Sequence, residues 1–110
     1  MLAYWVLMDG LWSALADPHR RAMLDVLRDA PCPVGELAVL LGLSQPATSK
    51  HLRVLREAGL VLVRKDAQQR IYTVNPGRIA ELEAWLAPYR KLWNDGLDAL
   101  ADHLDHEEEN

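Results

Sequence analysis

Between Ser44 and Gly59 the chain carries Gln45, Ser49, Lys50, Arg53 and Arg56, separated by steps of one, three and four residues. On a helix those steps gather most of the side chains on one side. Their chemistry suits the edges of base pairs. A glutamine amide bonds adenine twice, Lys or Arg reaches O6 and N7 of guanine, and a serine hydroxyl serves base or phosphate. Thr48 (through its methyl), Leu52 and Leu55 supply the opposite, apolar side. Before them, Leu37, Leu40 and Leu41 recur at helical spacing until Gly42 interrupts. Ser44 offers an N-cap oxygen, Pro46 falls in the first turn where a missing N–H is harmless, and Gly59 suits a left-handed C-cap. A short helix bracing a second one with this outer face fits a DNA major groove. The alternative is a helical hairpin with a solvated basic face.

After Gly59 the pattern changes from helical to alternating. Val61 and Val63, then Ile71 and Thr73, read as two short strands, with the polar run RKDAQQR between them as a turn. Such a hairpin would carry Arg64, Lys65 and Arg70 to the phosphates beside the groove. Basic residues that merely keep an edge strand soluble are the alternative. The net charge of −4 argues against a nucleic-acid partner only until its distribution is read. From Ser44 to Tyr72 six basic residues face two acidic ones, a local +4. The remainder is acidic, so the field is one-sided and would orient the chain on DNA.

The elements that must hold this unit lie on both sides of it. Residues 3–15 form an apolar helix, with Val6, Leu7, Leu11, Trp12 and Leu15 prominent, too much for a first helix to hide alone. Asp17-Pro18 starts a second helix, a carboxylate cap followed by proline. Met23, Val26 and Leu27 are its core positions. His19, Arg20 and Arg21 crowd its first turn against the helix dipole, to be offset by an anion or by solvent. Pro31-Cys32-Pro33 ends it. Asn75-Pro76 begins a last helix in which Ile79, Leu82, Trp85, Leu86, Tyr89, Leu92, Trp93, Leu97, Leu100 and Leu104 recur at threes and fours, and Pro88 should kink or break it. This stripe exceeds what a small core needs. It reads as a dimer seam formed with the first helix, involving Trp5, Leu11, Trp12, Trp85, Tyr89, Leu92, Trp93, Leu97 and Leu100. Covering its own domain is the other use of such a stripe. The tail, DHLDHEEEN, is acidic and expected to fray.

At 110 residues, half of them hydrophobic, the chain is expected to be one ordered domain, mainly helical with a small β-hairpin and five to six helices. One cysteine, Cys32, excludes an internal disulfide and fits a reducing cytoplasm. The apolar N-terminus lacks a basic leader region and is interrupted by Asp9 and Gly10, so no membrane association is expected. Gly-rich phosphate loops, HExxH and nucleophile elbows are missing from the sequence, which points away from an enzyme and from a cofactor.

The segments ALADPHRRAMLDVL, VGELAVLLGLSQPATSKHLRVLREAGLV and RIYTVNP resemble the ArsR/SmtB family of prokaryotic winged-helix repressors over about residues 13–76. The resemblance implies a winged helix-turn-helix that dimerises through its first and last helices and represses from imperfect palindromic operators in double-stranded DNA. Residues 34–60 would be the helix-turn-helix, 61–74 the wing, and 1–16 with 76–104 the dimerisation helices of a single domain. It also implies that Gln45, Thr48, Ser49, Lys50, His51 and Arg53 lie in or beside the groove, with Arg64 and Arg70 on the backbone. His51, between the buried and exposed faces, reads equally well as a packed histidine. The localisation implied is the cytoplasm, on the nucleoid when bound.

Many relatives are sensors, which makes a metal- or redox-responsive repressor of the same fold the alternative. The cysteine pair of the arsenic-type sensors would fall at Pro33 and Gly35, which cannot coordinate, and Cys32 is out of register. Asp102 and His106 share a helix face, and two chains could complete a tetrahedral set. The spacing of the zinc-type sensors is nonetheless missing, and Asp95, Asp98, Asp102 and Asp105 also make an ordinary solvated stripe. No metal site is therefore assigned, and a small-molecule or metal effector is left unspecified. A winged helix that docks protein would show apolar anchors on the reading face in place of the basic ones.

Overall fold

A computed structural model describes the backbone of residues 2–108 and the side chains of residue 6 and residues 8–106. Among these residues there are five helices and three strands: α1 (Leu2–Leu15), α2 (Pro18–Asp29), β1 (Cys32–Pro33), α3 (Val34–Leu41), α4 (Gln45–Glu57), β2 (Val61–Asp66), β3 (Gln69–Val74) and α5 (Pro76–Glu108). The chain forms one compact unit up to Arg78 and a second from Ile79 onward.

In the first unit, local signals set the helix ends. The Asp17 carboxylate accepts from the backbone N–H groups of His19 (2.8 Å) and Arg20 (3.2 Å), so α2 starts at Pro18. Gly42 takes φ 66°, and the backbone N–H of Leu43 donates to Ala38 at 3.0 Å, closing α3. Ser44 Oγ accepts from Ala47 N–H at 3.2 Å and opens α4. Gly59 takes φ 77° and α4 ends with paired bonds, Gly59 to Arg56 and Leu60 to Leu55, both 2.9 Å. Glycine serves at both stops because a Cβ disfavours that left-handed backbone.

The core of this unit is Met8, Leu11 and Ala14 of α1, Met23 and Leu27 of α2, Leu37 and Ala38 of α3, and Leu52 and Leu55 of α4. Leu60, Val61 and Tyr72 close it from the sheet side. Val26 is only half-buried, and Leu40, which falls on the expected spacing, is exposed beside Val39.

The sheet is antiparallel in the order β1-β3-β2. Its first strand has no periodicity to announce it, since two residues around a proline are too few to show alternation. Cys32 pairs with Tyr72 and Pro33 with Ile71. The hairpin is longer and tighter than the sequence suggests. Both strands continue through the basic run, so Arg64 pairs with Ile71, Lys65 with Arg70 and Asp66 with Gln69, around a two-residue turn at Ala67 and Gln68. Ala67 sits there at φ 54°. Directly opposed residues share a face. Lys65 and Arg70 therefore lie on the face of Val63 and Tyr72, while Arg64 lies on the other.

Asn75 ties the end of β3 to the end of α4. Its backbone N–H donates to Leu60 O and its side-chain amide to Gly59 O, both at 2.9 Å, while its Oδ1 accepts from Gly77 N–H at 3.2 Å. Arg78 Nε donates to Ala58 O at 3.0 Å. These bonds satisfy the carbonyls of Ala58, Gly59 and Leu60, the three residues that follow α4.

The second unit is a single helical rod. Of the two effects expected of Pro88, a kink or a break, the break does not occur: α5 continues across it, since only one helical N–H is lost and the turns on either side carry the helix on. The acidic tail is helical as far as Glu108. Trp85 and Tyr89 stack 4.7 Å apart, and Arg90 pairs with Glu83. Tyr89, Leu92, Trp93, Leu97, Leu100 and Leu104 are all exposed, with Leu92 and Trp93 at 67% and 68%.

Candidate nucleic-acid interface

The helix-turn-helix and the hairpin border one continuous cleft. Val34, Pro46, Ser49, Lys50, Arg53, Arg56, Arg70 and Tyr72 line about 510 Å³ of it. Toward the hairpin tip a further 520 Å³ is bounded by α3 residues with Gln45, Ser49, Gln68, Gln69 and Arg70. Val34, Ser49 and Arg70 belong to both parts, so α3, α4 and β3 each contribute a residue to the wall they share. Of the residues expected at a groove, Gln45, Ser49, Lys50, Arg53 and Arg70 come together here, and all five are exposed.

Three others do not. Thr48 is fully buried and its hydroxyl donates to Ser44 O at 2.9 Å, so it braces the first turn of α4 and has no atom to offer a duplex. His51 is half-buried on the far flank of α4, where Arg20 NH1 lies 3.4 Å from its Nδ1 and the His19 ring 5.6 Å from its own. Arg64 is exposed, but on the hairpin face away from Arg70. Lys65, directly opposite Arg70, is its companion in charge. Two cations so placed repel one another, and a phosphate between them would remove that penalty.

Arg56, Gln68 and Gln69 line the cleft without having been singled out as readers. Arg56 was legible, since it follows Arg53 by three residues. The two glutamines were not, because their approach to Gln45 depends on the tightness of the turn. Arg53 is held by Glu57, 3.5 Å away one turn on, in an exposed pair worth only about 0.3–0.5 kcal/mol. Base edges can draw Arg53 away at little cost. Lys50, Arg56 and Arg70 make no ion pair among the described residues.

The cations at the start of α2 prove to be structural. Arg20 donates from Nε to Ala14 O at 2.6 Å and from NH2 to Ser13 O at 3.0 Å, and Arg21 donates to Leu15 O at 2.8 Å. The open carbonyls at the end of α1 thus offset the unfavourable dipole end of α2. At Asp17 desolvation raises the carboxyl pKa, but the N–H bonds from Arg20 and His19, with the charge of Arg20, outweigh it and leave the group below its usual 3.8.

The residues proposed for a dimer seam divide as well. Leu11 is fully buried within the single chain, so it belongs to the core and is not open to a partner. Trp12 and Trp85 are half-buried, whereas Tyr89, Leu92, Trp93, Leu97 and Leu100 are exposed. The Trp5 side chain lies outside the described residues.

No group of three or more His, Cys, Asp or Glu side chains is placed to hold a metal among the described residues. Cys32 is buried, and its thiol is pushed above the usual 9.0 by desolvation and by the nearby Glu36 carboxylate. No helix among the described residues is long and apolar enough to cross a membrane.

A family model described as "Bacterial regulatory protein, arsR family" matches residues 17–63, from the cap of α2 into β2. The HTH-type transcriptional regulator Rv2034 of Mycobacterium tuberculosis is 40% identical over 99 residues, covering 90% of this chain and 90% of that protein. The crystal structure of the ArsR family transcriptional regulator RHA00566 superposes with a TM-score of 0.69 at 34% identity, over 80% of this chain and 91% of that one. The same fold recurs at 24% identity in Mb0332 of Mycobacterium bovis, described as a homodimeric winged helix-turn-helix DNA-binding domain. There the TM-score is 0.70, over 82% of this chain and 83% of that one.

Proposed function

The chain belongs to the arsR family of bacterial regulatory proteins and is a winged helix-turn-helix transcriptional regulator. From that premise we propose that it acts as a homodimeric repressor, with α4 in the major groove and the hairpin on the flanking backbone. The observation that carries this reading is the shared cleft, in which Gln45, Ser49, Lys50 and Arg53 of α4 meet Arg70 of β3.

The roles follow from chemistry and position. Gln45 suits adenine, and Lys50 and Arg53 suit guanine. Ser49 donates to a base edge or a phosphate. Arg70 and Lys65 hold the backbone without reading sequence. Residues 34–60 thus read the duplex and 61–74 position it, within a single functional domain.

Pairing is assigned to residues 1–16 and 76–104. Its support is the row of exposed apolar side chains on α5, where removing Leu92 from water is worth about 1.5–3 kcal/mol at most and Trp93 offers a larger area still. Two copies would set their α4 helices in successive major grooves, about 34 Å apart. The protein is a binding protein and not an enzyme, and its place is the cytoplasm, on the nucleoid when bound. A redox-responsive version finds no support in Cys32, whose buried thiol is held in its unreactive form.

The test is selection of duplexes from a random-sequence library by the purified protein, followed by footprinting. The expected product is an imperfect palindrome with half-sites one helical turn apart. Failure to retain any duplex at modest ionic strength would overturn the proposal.

A further inference from the structure

Arg20 joins three helices through one guanidinium. It starts on α2, donates twice to carbonyls at the end of α1, and presents NH1 to His51 Nδ1 on α4. Arginine has no acceptor, so in this contact Nδ1 is the unprotonated ring nitrogen. His51 lies two residues beyond Ser49, hence about 160° around α4 from the cleft side. The contact therefore grips the recognition helix from behind. It acts alongside the bonds from Asn75 and Arg78 at that helix's C-terminal end. Those bonds hold the segment that follows α4, and a grip on its flank opposes roll of the helix about its own axis alongside the buried Thr48, Leu52 and Leu55.

We propose that His51 is a positioning residue for DNA reading. By accepting from Arg20 it sets the roll of α4, and so the direction of Gln45, Ser49 and Arg53, relative to the end of α1. The inference rests on the DNA-binding reading above. Base edges are met only when side chains arrive with the correct angle, whereas phosphate contacts by flexible cations tolerate rotation. Loss of the contact should therefore lower discrimination and spare non-specific affinity. Because Arg20 also closes α1, a helix assigned to pairing, the same guanidinium links the seam between copies to the reading helix.

The experiment compares the full chain with His51→Leu, which removes the acceptor, and His51→Asn, whose Oδ1 stands close to the place of Nδ1. The probes are the duplex selected by the wild-type protein and a scrambled duplex of equal length, at one salt concentration. His51→Leu should weaken the selected duplex about tenfold, the scale of a hydrogen bond to a charged partner, and leave the scrambled one within about twofold. His51→Asn should recover most of the loss. His51→Phe, which keeps a ring without the acceptor, replaces His51→Leu if that variant does not fold, and is expected to behave like it.

Equal weakening on both duplexes would overturn the inference, since it would mark a direct phosphate contact. So would no change on either, or an Asn variant as poor as the Leu one. A wild-type protein that binds no duplex would instead remove the DNA-binding proposal itself, so the two failures are told apart.

Discussion

Replacing Arg70 by alanine isolates the backbone-positioning role from the reading role. Arg70 is exposed, lines both parts of the cleft and opposes Lys65 across the hairpin. Its removal relieves a like-charge pair, so the melting temperature should hold or rise slightly, and lost binding cannot be ascribed to unfolding. Each phosphate contact contributes about 0.9 to the slope of log affinity against log salt, so a dimer lacking two should have a slope shallower by about 1.8. Between 50 and 200 mM salt the ratio of wild-type to variant affinity should then shrink by about twelvefold. The assay is fluorescence anisotropy on selected and scrambled duplexes over a salt series. Both duplexes should show the same loss. A loss confined to the selected duplex would make Arg70 a reader and refute the division of labour. Arg64→Ala is the internal control, because that side chain lies on the opposite hairpin face and should change the slope less. An equal change would mean that the hairpin enters the DNA edge-on.

The other outcomes can be checked with similar means. Gln45→Ala or Arg53→Ala should cost about 1–3 kcal/mol on the selected duplex and relax preference at one base position, and an unchanged preference in a repeated selection would count against that reader. Trp93→Asp places a charge in the exposed stripe of α5 and should yield monomers that bind a half-site weakly, whereas sedimentation of an intact dimer would remove α5 from the seam. Asp17, held below its usual 3.8 in the folded chain, contributes stability that is present above that pH and lost as the pH falls through its lower folded value. Asp17→Asn should therefore lower the melting temperature at neutral pH and converge with wild type as the pH falls below 3.8, and an equal melting temperature at neutral pH would contradict the assignment.

The extent of α3 and α4 was legible because its determinants are neighbours in sequence. Gly42, Ser44, Pro46 and Gly59 act on backbone within a turn of themselves, and each does in space what its residue type suggests. The hairpin was legible in place but not in length, since the tight turn lies inside a run that is polar throughout. β1 was invisible, because its two residues become a strand only when β3 lies alongside.

The reading face shows the same division. The sequence by itself determined that a basic helix with Gln45, Ser49, Lys50 and Arg53 on one side would precede a basic hairpin, because helical and strand periods follow from local backbone geometry. Only the tertiary structure decided which polar groups are used up inside the molecule. Thr48 spends its hydroxyl on Ser44, Arg20 reaches His51 across 31 residues, and strand register turns Arg64 away from Arg70. A side chain near the edge of a buried face has no fixed fate in its own helix or strand. Whatever element packs beside it settles whether it meets solvent, a ligand or a neighbour, and that element is supplied by a distant part of the chain.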